Sequence, residues 1–442
     1  MNNSTSTPAT NHRRQAVFWL MIGGMINYFD RATLAIAAPE MSRDLELSAT
    51  HIGMMGTAFA WCYALAQLPS GWIIDRFNSR LVFAGSMLLW SLATLATGFA
   101  SGLIVLILLR ALLGVTEAPC WPTATKVISV WYPKQERGIA TGIFTSSAKW
   151  GAAIAPPVLV TIMVYFGWRG LFIVSGLAGI IYAIIFYAFF RNPDKARRLP
   201  ADELEFIKAG GGGVERTGGN KASGIPWSTL FTYRSVWGMI LGYFCNIWIW
   251  NMFIVFLPSY LSKTYHVSLA QMGIYASLPW IGGAIGAVLS GFAVRSIAER
   301  FNLTSLKATK TMIGLSTTLT VITVCCLPLT TTLHSTVVTM IVALFFISAT
   351  NSLAWALATE IAPQSMVGSV SSIQNFGGYF GGAFSPLVAG LIVDATGSYA
   401  LAFLSGGLVV VGAAVAYLWI VDKPIEAREL KEDLGNLAVP RT

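Results

Sequence analysis

The chain is predicted to be an all-α polytopic membrane protein, with twelve transmembrane helices in two six-helix halves, and three observations carry that prediction. Of its 442 residues 55% are hydrophobic and only 11% charged, with a mean hydropathy of +0.64, whereas a soluble domain carries roughly 25% charged residues. Cutting the chain wherever charges cluster leaves twelve apolar stretches, each of about 20 residues or more. That length suits a helix rising 1.5 Å per residue across a hydrocarbon core of roughly 30 Å. The stretches fall six and six around one polar interval.

In order, the stretches lie near 16–38, 52–74, 81–100, 102–123, 138–163 and 169–190, then 235–258, 270–294, 311–330, 335–360, 367–393 and 399–421. Residues 1–15 read as an N-terminal tail, 16–190 and 235–421 as the two bundles, 191–234 as a central loop and 422–442 as a C-terminal tail. Within the loop, ADELEFIKAGGGG and GGNKASG predict a short surface helix and a flexible tether, with no room for a catalytic domain.

Basic residues set the orientation. With the N-terminus inside, the tails and even-numbered connections gather Arg13, Arg14, Arg76, Arg80, Lys134, Arg137, the central-loop cations and those from Arg295 to Lys310. The opposite side holds Arg43, Arg169 and Lys263. Both termini are therefore predicted to be cytoplasmic, in a cell inner membrane. The net charge of +9 is scattered over short membrane-flanking loops and does not form a nucleic-acid surface. Cys62, Cys120, Cys245, Cys325 and Cys326 sit inside apolar stretches and read as small buried hydrophobes, so neither a disulfide nor a metal site is expected. The first stretch follows Arg13 and Arg14 and contains Ala35-Ile36-Ala37, which mimics a signal peptide. Asp30 and Arg31 interrupt it and eleven further stretches follow, so it is expected to remain as an anchor behind a floppy tail at 1–11.

Ionisable groups at membrane depth are costly, which makes them the first place to look for function. Asp30 and Arg31 lie in the first stretch, and Tyr28 shares a helix face with Arg31. A bound carboxylate suits that phenol and guanidinium because Arg offers a planar fork to two oxygens; an internal Asp–Arg brace is the alternative. Arg110 and Glu117, two helical turns apart, suggest a switchable pair in which Arg110 holds substrate or Glu117 by turns, with a static ion pair as the alternative. His12, His51, His266 and His334 fall outside the stretches. A transported proton would then need a carboxylate, and Asp30 and Glu117 are the candidates. Lys126, Lys149, Glu360 and Asp394 read as snorkelling or capping groups.

The second half offers Asn246, Trp250 and Asn251, then Asn351, Ser352 and Trp355, then Gln374, Asn375 and Tyr379. These predict hydroxyl recognition opposite the charge recognition of the first half, with helix-to-helix hydrogen bonding as an equal alternative. Gly282-x-x-x-Gly286, Gly377-x-x-x-Gly381 and Gly378-x-x-x-Gly382 predict close helix approach, and Pro156-Pro157 and Pro386 predict bends.

Over nearly its whole length the chain resembles the major facilitator superfamily. The run Gly71-Trp72-Ile73-Ile74-Asp75-Arg76-Phe77-Asn78-Ser79-Arg80 is similar to that family's G-x-x-x-D-R-x-G-R-R/K loop, which implies that Asp75, Arg76 and Arg80 help to latch the cytoplasmic side. Asn78 replaces the usual Gly, and the run from Gly291 to Arg300 has Arg295 where an acid would be expected. More narrowly, Asn27-Tyr28-Phe29-Asp30-Arg31-Ala32, the run from Leu109 to Pro119 and Trp131-Tyr132-Pro133-Lys134-Gln135-Glu136-Arg137-Gly138 resemble the anion:cation symporter branch, which includes bacterial galactonate, glucarate and hexuronate carriers.

The resemblance implies proton-driven import of a sugar acid by alternating access, with the proton as coupling ion and no other cofactor. On this reading Arg31 and Arg110 take the carboxylate, Asp30 and Glu117 take protons, and Tyr28, Tyr63, Ser352, Trp355 and Asn375 line the site. Arg137 joins the gate. Ala148, beside Lys149, departs from the Gln that galactonate-type carriers show, which leaves the substrate open between sugar acids, other carboxylates and an anion-exchange mode. The expected partners are the anion and the lipid bilayer, and the helix count permits a functional monomer. No H-E-x-x-H, P-loop or G-x-S-x-G run is present, so an enzyme is not expected.

Overall fold

The computed structural model describes residues 12–47, 49–196, 199–215, 227–265, 269–382 and 384–425. The tail at 1–11, the GGNKASG tether and the chain from 426 lie outside the described residues. The first half comprises α1 (His12–Asp44), α2 (Ala49–Arg76), α3 (Ser79–Thr97), α4 (Leu103–Glu117), α5 (Cys120–Trp131) and α6 (Lys134–Phe189). A short α7 (Ala201–Ala209) occupies the central loop. The second half comprises α8 (Arg234–Tyr265), α9 (Leu269–Phe301), α10 (Ser305–Cys326), α11 (Leu333–Ile361), α12 (Val367–Gly382), α13 (Ser385–Thr396) and α14 (Tyr399–Val415).

Two features reconcile these helices with twelve passes. α6 is two passes joined at Gly167, whose φ of 66° and ψ of 179° turn the chain where a side chain would be strained. α4 with α5, and α12 with α13, are single passes broken near Pro119 and Phe384. Polar caps start several helices: Asn78 accepts from the Arg80 amide at α3, Thr304 from Lys307 at α10 and Ser398 from Leu401 at α14. Asn78 has φ −64°, so the position where the resembling loop has glycine needs no left-handed conformation here.

Eight helical segments are long and apolar enough to cross a membrane among the described residues. The four remaining passes are α1, α2, the first part of α6 and α12 with α13. They carry Asp30 and Arg31, Gln67, Lys149, and Gln374 with Asn375, all buried or half-buried. Polarity that lowers the hydropathy of these passes is polarity turned inward. Ile104, Leu108, Val164 and Leu408 are more than half exposed, as expected of side chains facing lipid rather than water.

Within the halves α1 and α3 pack on α6, α2 on α4, α8 on α12 and α14, and α9 on α11; the halves meet along two seams, α6 against α9 and α2 against α12. Close approach at the seams depends on glycine. A Cβ on Gly142 would stand 2.4 Å from the Ala287 carbonyl oxygen, one on Gly291 2.5 Å from the Gly138 carbonyl, and one on Gly71 2.8 Å from Ser369 Cα. Gly286 does the same inside the second half against the Phe345 carbonyl oxygen, at 2.2 Å.

Candidate functional site: a central cavity and an end latch

Twelve side chains line a tight cavity of about 20 Å³ between the halves: Tyr28, Tyr63, Trp121, Ala148, Lys149, Tyr243, Ile247, Trp250, Asn351, Trp355, Asn375 and Tyr379. The first five come from α1, α2, α5 and α6, the others from α8, α11 and α12. The walls are mainly aromatic. Trp121 stands edge-on to Tyr28 at 6.1 Å and tilted against Trp355 at 6.0 Å, joining the halves across the cavity. Trp355 Nε1 and Asn351 Nδ2 both donate to the Tyr243 hydroxyl, at 2.8 and 3.2 Å. Asn375 Nδ2 donates to the Tyr63 hydroxyl at 3.3 Å.

Arg31 stands beside three of these rings. Its guanidinium lies 4.8 Å from the Tyr63 centroid, 5.3 Å from Tyr28 and 5.9 Å from Tyr379. Such ring faces attract a cation whose water has been removed. Arg31 Nε donates to Glu117 Oε1 at 2.5 Å and Nη1 to the Tyr379 hydroxyl at 3.0 Å, while Nη2 is buried without a hydrogen-bond partner. One side chain of α1 thus ties the carboxylate that ends α4 to the hydroxyl of α12 in the other half.

Asp30 faces elsewhere: Trp90 Nε1 donates to its Oδ2 at 2.9 Å, and Oδ1 is buried without a partner. The guanidinium of Arg110 lies 5.6 Å from the Phe172 ring, and its Nε and Nη2 are buried without a partner. Glu117 is therefore paired with Arg31 and not with Arg110. Tyr28, Tyr63, Trp355 and Asn375 come together on the cavity, whereas Ser352 is buried outside its lining with an unpartnered Oγ.

Three lining residues carry no functional signal in the sequence, Trp121, Tyr243 and Ile247, which are aromatic or aliphatic residues within apolar stretches. Lys149 reads there as a snorkelling or capping group. Lys149 is buried, 15 residues into α6, with Nζ 4.7 Å from the Trp250 centroid and 3.2 Å from the Thr145 carbonyl oxygen.

At the end of the bundle where α2 finishes, Asp75 closes one seam. Its carboxylate accepts from the Gly368 amide at 3.0 Å and from the Ser369 amide and hydroxyl at 2.8 and 2.6 Å. These groups open α12, where unpaired amides and the helix dipole favour an anion. Behind Asp75, Lys126 lies 4.0 Å from its Oδ1, 3.6 Å from Glu215 Oε1 and 2.6 Å from the Ile74 carbonyl oxygen. Arg137 donates to the Thr359 carbonyl oxygen of α11 at 2.9 Å and to those of Ser129, Tyr132 and Gly211 at 2.8, 3.1 and 3.0 Å. Burial pulls its guanidinium down to about 10, against the pull of Glu360. Arg76 and Arg80 stay in the first half. Arg76 lies 4.9 Å from the Trp72 ring, and Arg80 bonds the Tyr187 carbonyl and lies 4.2 Å from that ring. Arg295 pairs with Glu299 of its own helix at 2.8 Å on the surface.

The sequence model of the Major Facilitator Superfamily matches residues 20–386, with a second match at 303–439. A protein named "Probable L-galactonate transporter" of Escherichia coli K12 is 33% identical over 95% of this chain and 92% of its own length. The "Probable sulfoacetate transporter SauU" of Cupriavidus necator is 34% identical over 94% and 96%, and the "Probable galactarate/D-glucarate transporter GudP" of Escherichia coli K12 32% over 97% and 97%. Among solved structures, the proton:xylose symporter XylE shares the fold at a TM-score of 0.74 and 14% identity, covering 95% of this chain and 98% of its own. An apolar helical bundle with a cavity between its halves, matched over most of its length by that superfamily and by carriers named for organic anions, places the chain in the Major Facilitator Superfamily as a membrane transporter of organic anions and not an enzyme.

Proposed function

We propose that the protein imports a sugar acid by proton symport, working as a monomer with both termini in the cytoplasm. The Arg31–Glu117 contact carries this reading. With Glu117 ionised, Arg31 is neutralised by a fixed carboxylate. A proton on Glu117 removes that charge, and the Arg31 fork, still oriented by Tyr379 and the surrounding rings, becomes free to take the carboxylate of a substrate. Proton and anion then favour each other thermodynamically, as symport requires. Hydroxyl-bearing and amide groups at Tyr243, Asn351 and Asn375 suit the hydroxyls of a sugar acid, and the aromatic walls suit its carbon face. Asp30, held by Trp90, is the second candidate for a proton. Asp75 and Arg137 hold the cytoplasmic side shut, so that the cavity opens to the other side until the loaded halves rock about the two seams.

The names of similar proteins support an acid substrate, since galactonate, galactarate and sulfoacetate all carry acid groups. The test is uptake of labelled hexonates, hexarates and hexuronates into proteoliposomes holding the purified protein, with and without an inward proton gradient. Accumulation of one class only under the gradient is expected. Exchange that ignores the gradient, or no uptake of any acid, would refute the symporter reading.

A further inference from the structure

Lys149 is the one charged residue among the twelve that line the cavity. It is 2% exposed, and among the described residues no Asp or Glu forms an ion pair with it. Of the other buried or half-buried cations, Arg31 is paired with Glu117, Lys126 with Asp75 and Glu215, and Arg13 with Glu136 and Glu203, whereas Arg110 and Arg137 form no ion pair among the described residues but lie outside the cavity lining. Among the described residues Lys149 has only the Thr145 carbonyl oxygen and the face of Trp250. A buried ammonium without a counter-ion is costly, and an incoming anion offsets that cost.

We propose that Lys149 is a second anion anchor, and that the substrate carries two acid groups, one for Arg31 and one for Lys149. The two cations serve opposite seams. Arg31 lies among the rings of Tyr63 and Tyr379, which belong to α2 and α12. Lys149 lies in α6 over Trp250, whose ring packs against Trp280 of α9 at 5.2 Å. Trp121 and Trp355 stand in contact on the wall between these ends. An elongated ligand with an acid at each end fits that layout better than one with a single acid.

The charge count agrees. With Glu117 ionised, Arg31 and Glu117 cancel and Lys149 leaves one positive charge. With Glu117 protonated, Lys149 on the cavity wall and Arg31 behind its tyrosine rings are two cations without a carboxylate and match a dianion, so a single proton suffices to load it. Ala148, next to Lys149, offers no polar side chain that would compete for the acid group.

This inference rests on the anion-symporter reading, and the experiment separates the two. Uptake of galactarate and galactonate, which differ in the oxidation of one terminal carbon, is measured in proteoliposomes of the full chain, of Lys149→Gln and of Lys149→Arg. The unsubstituted protein is expected to prefer the diacid by at least about tenfold in kcat/KM, as a charge-assisted hydrogen bond allows. Lys149→Gln should cut that ratio at least about tenfold, mainly through KM for the diacid, and Lys149→Arg should keep most of it. Preference of the unsubstituted protein for the monoacid, or a ratio that Lys149→Gln leaves in place, overturns the inference alone. Equal loss of both acids in the two variants, while each elutes as a folded monomer, also overturns it. Uptake of neither acid by the unsubstituted protein overturns the symporter reading with it.

Discussion

Arg31 Nε meets Glu117 Oε1 at 2.5 Å, although the cation two turns away on Glu117's own helix is Arg110. The helical face that Arg110 and Glu117 share did not make them partners, since two turns separate them by about 10 Å along the axis while Arg31 reaches the carboxylate directly from α1. The carboxylate sits at the end of α4, against α1, while Arg110 stays beside Phe172 of α6.

Glu117→Gln keeps the shape and removes the proton site. Gradient-driven accumulation in proteoliposomes is expected to vanish, while counterflow of substrate between the two sides persists within severalfold. Equal loss of both would contradict the proton role.

Arg31→Lys replaces the fork with a point charge that cannot hold Glu117 and Tyr379 from one plane. Substrate affinity, measured by calorimetry or ligand-induced thermal shift, should fall at least about tenfold, in line with ~1.5–3 kcal/mol for a charged hydrogen bond. Near-normal affinity would show that the anion binds elsewhere.

Asp75→Asn halves the acceptor capacity that meets Gly368 and Ser369. The maximal transport rate is expected to drop severalfold with little change in substrate Kd, because the latch touches no cavity residue. An unchanged rate would remove Asp75 from the gate.

Glu203→Ala tests the docking of α7 rather than transport. Arg13 bonds Glu203 at 3.1 Å and Glu136 at 2.7 and 3.2 Å, and Glu203 is fully buried. These partners hold the Arg13 guanidinium above its ordinary value despite the opposing effect of burial. Loss of Glu203 should cost about 1–3 kcal/mol of stability, read as a lowered Tm, since Arg13 keeps only one of its two carboxylates.

How much of this was legible in the sequence depended on the kind of signal. The gap between the stretches 138–163 and 169–190 marks the turn at Gly167, because a break in hydropathy and a helix-breaking glycine coincide there. The stretch 102–123 falls short of Trp131, since Lys126 lowers the local hydropathy. Its charge is met inside the protein by Asp75 and Glu215. Tyr28, Tyr63, Trp355 and Asn375 on the cavity were accessible through motif and polarity. Trp121 and Tyr243 were not, because an aromatic residue in an apolar helix reads the same whether it meets lipid or substrate. Snorkelling explained Lys149 only while its depth was unknown: α6 begins at Lys134, so Lys149 lies roughly 22 Å along it. Arg76 and Arg80 share a motif with Asp75, yet a motif does not say which of its side chains reaches the other half.

Asp75 is met across the seam by two peptide amides and one hydroxyl, not by a cation. Any residue except proline supplies such an amide, so Ser369 can change at the cost of one hydroxyl bond, whereas Gly368 is held to glycine because a Cβ there would stand 2.7 Å from Asp75 Oδ1 and 2.5 Å from Ile74 Cγ2. An exchange of opposite charges, the usual genetic proof of a gate, would find no partner to exchange. Its mechanics would be probed instead through the backbone, by a proline or an ester in place of the amide at Ser369.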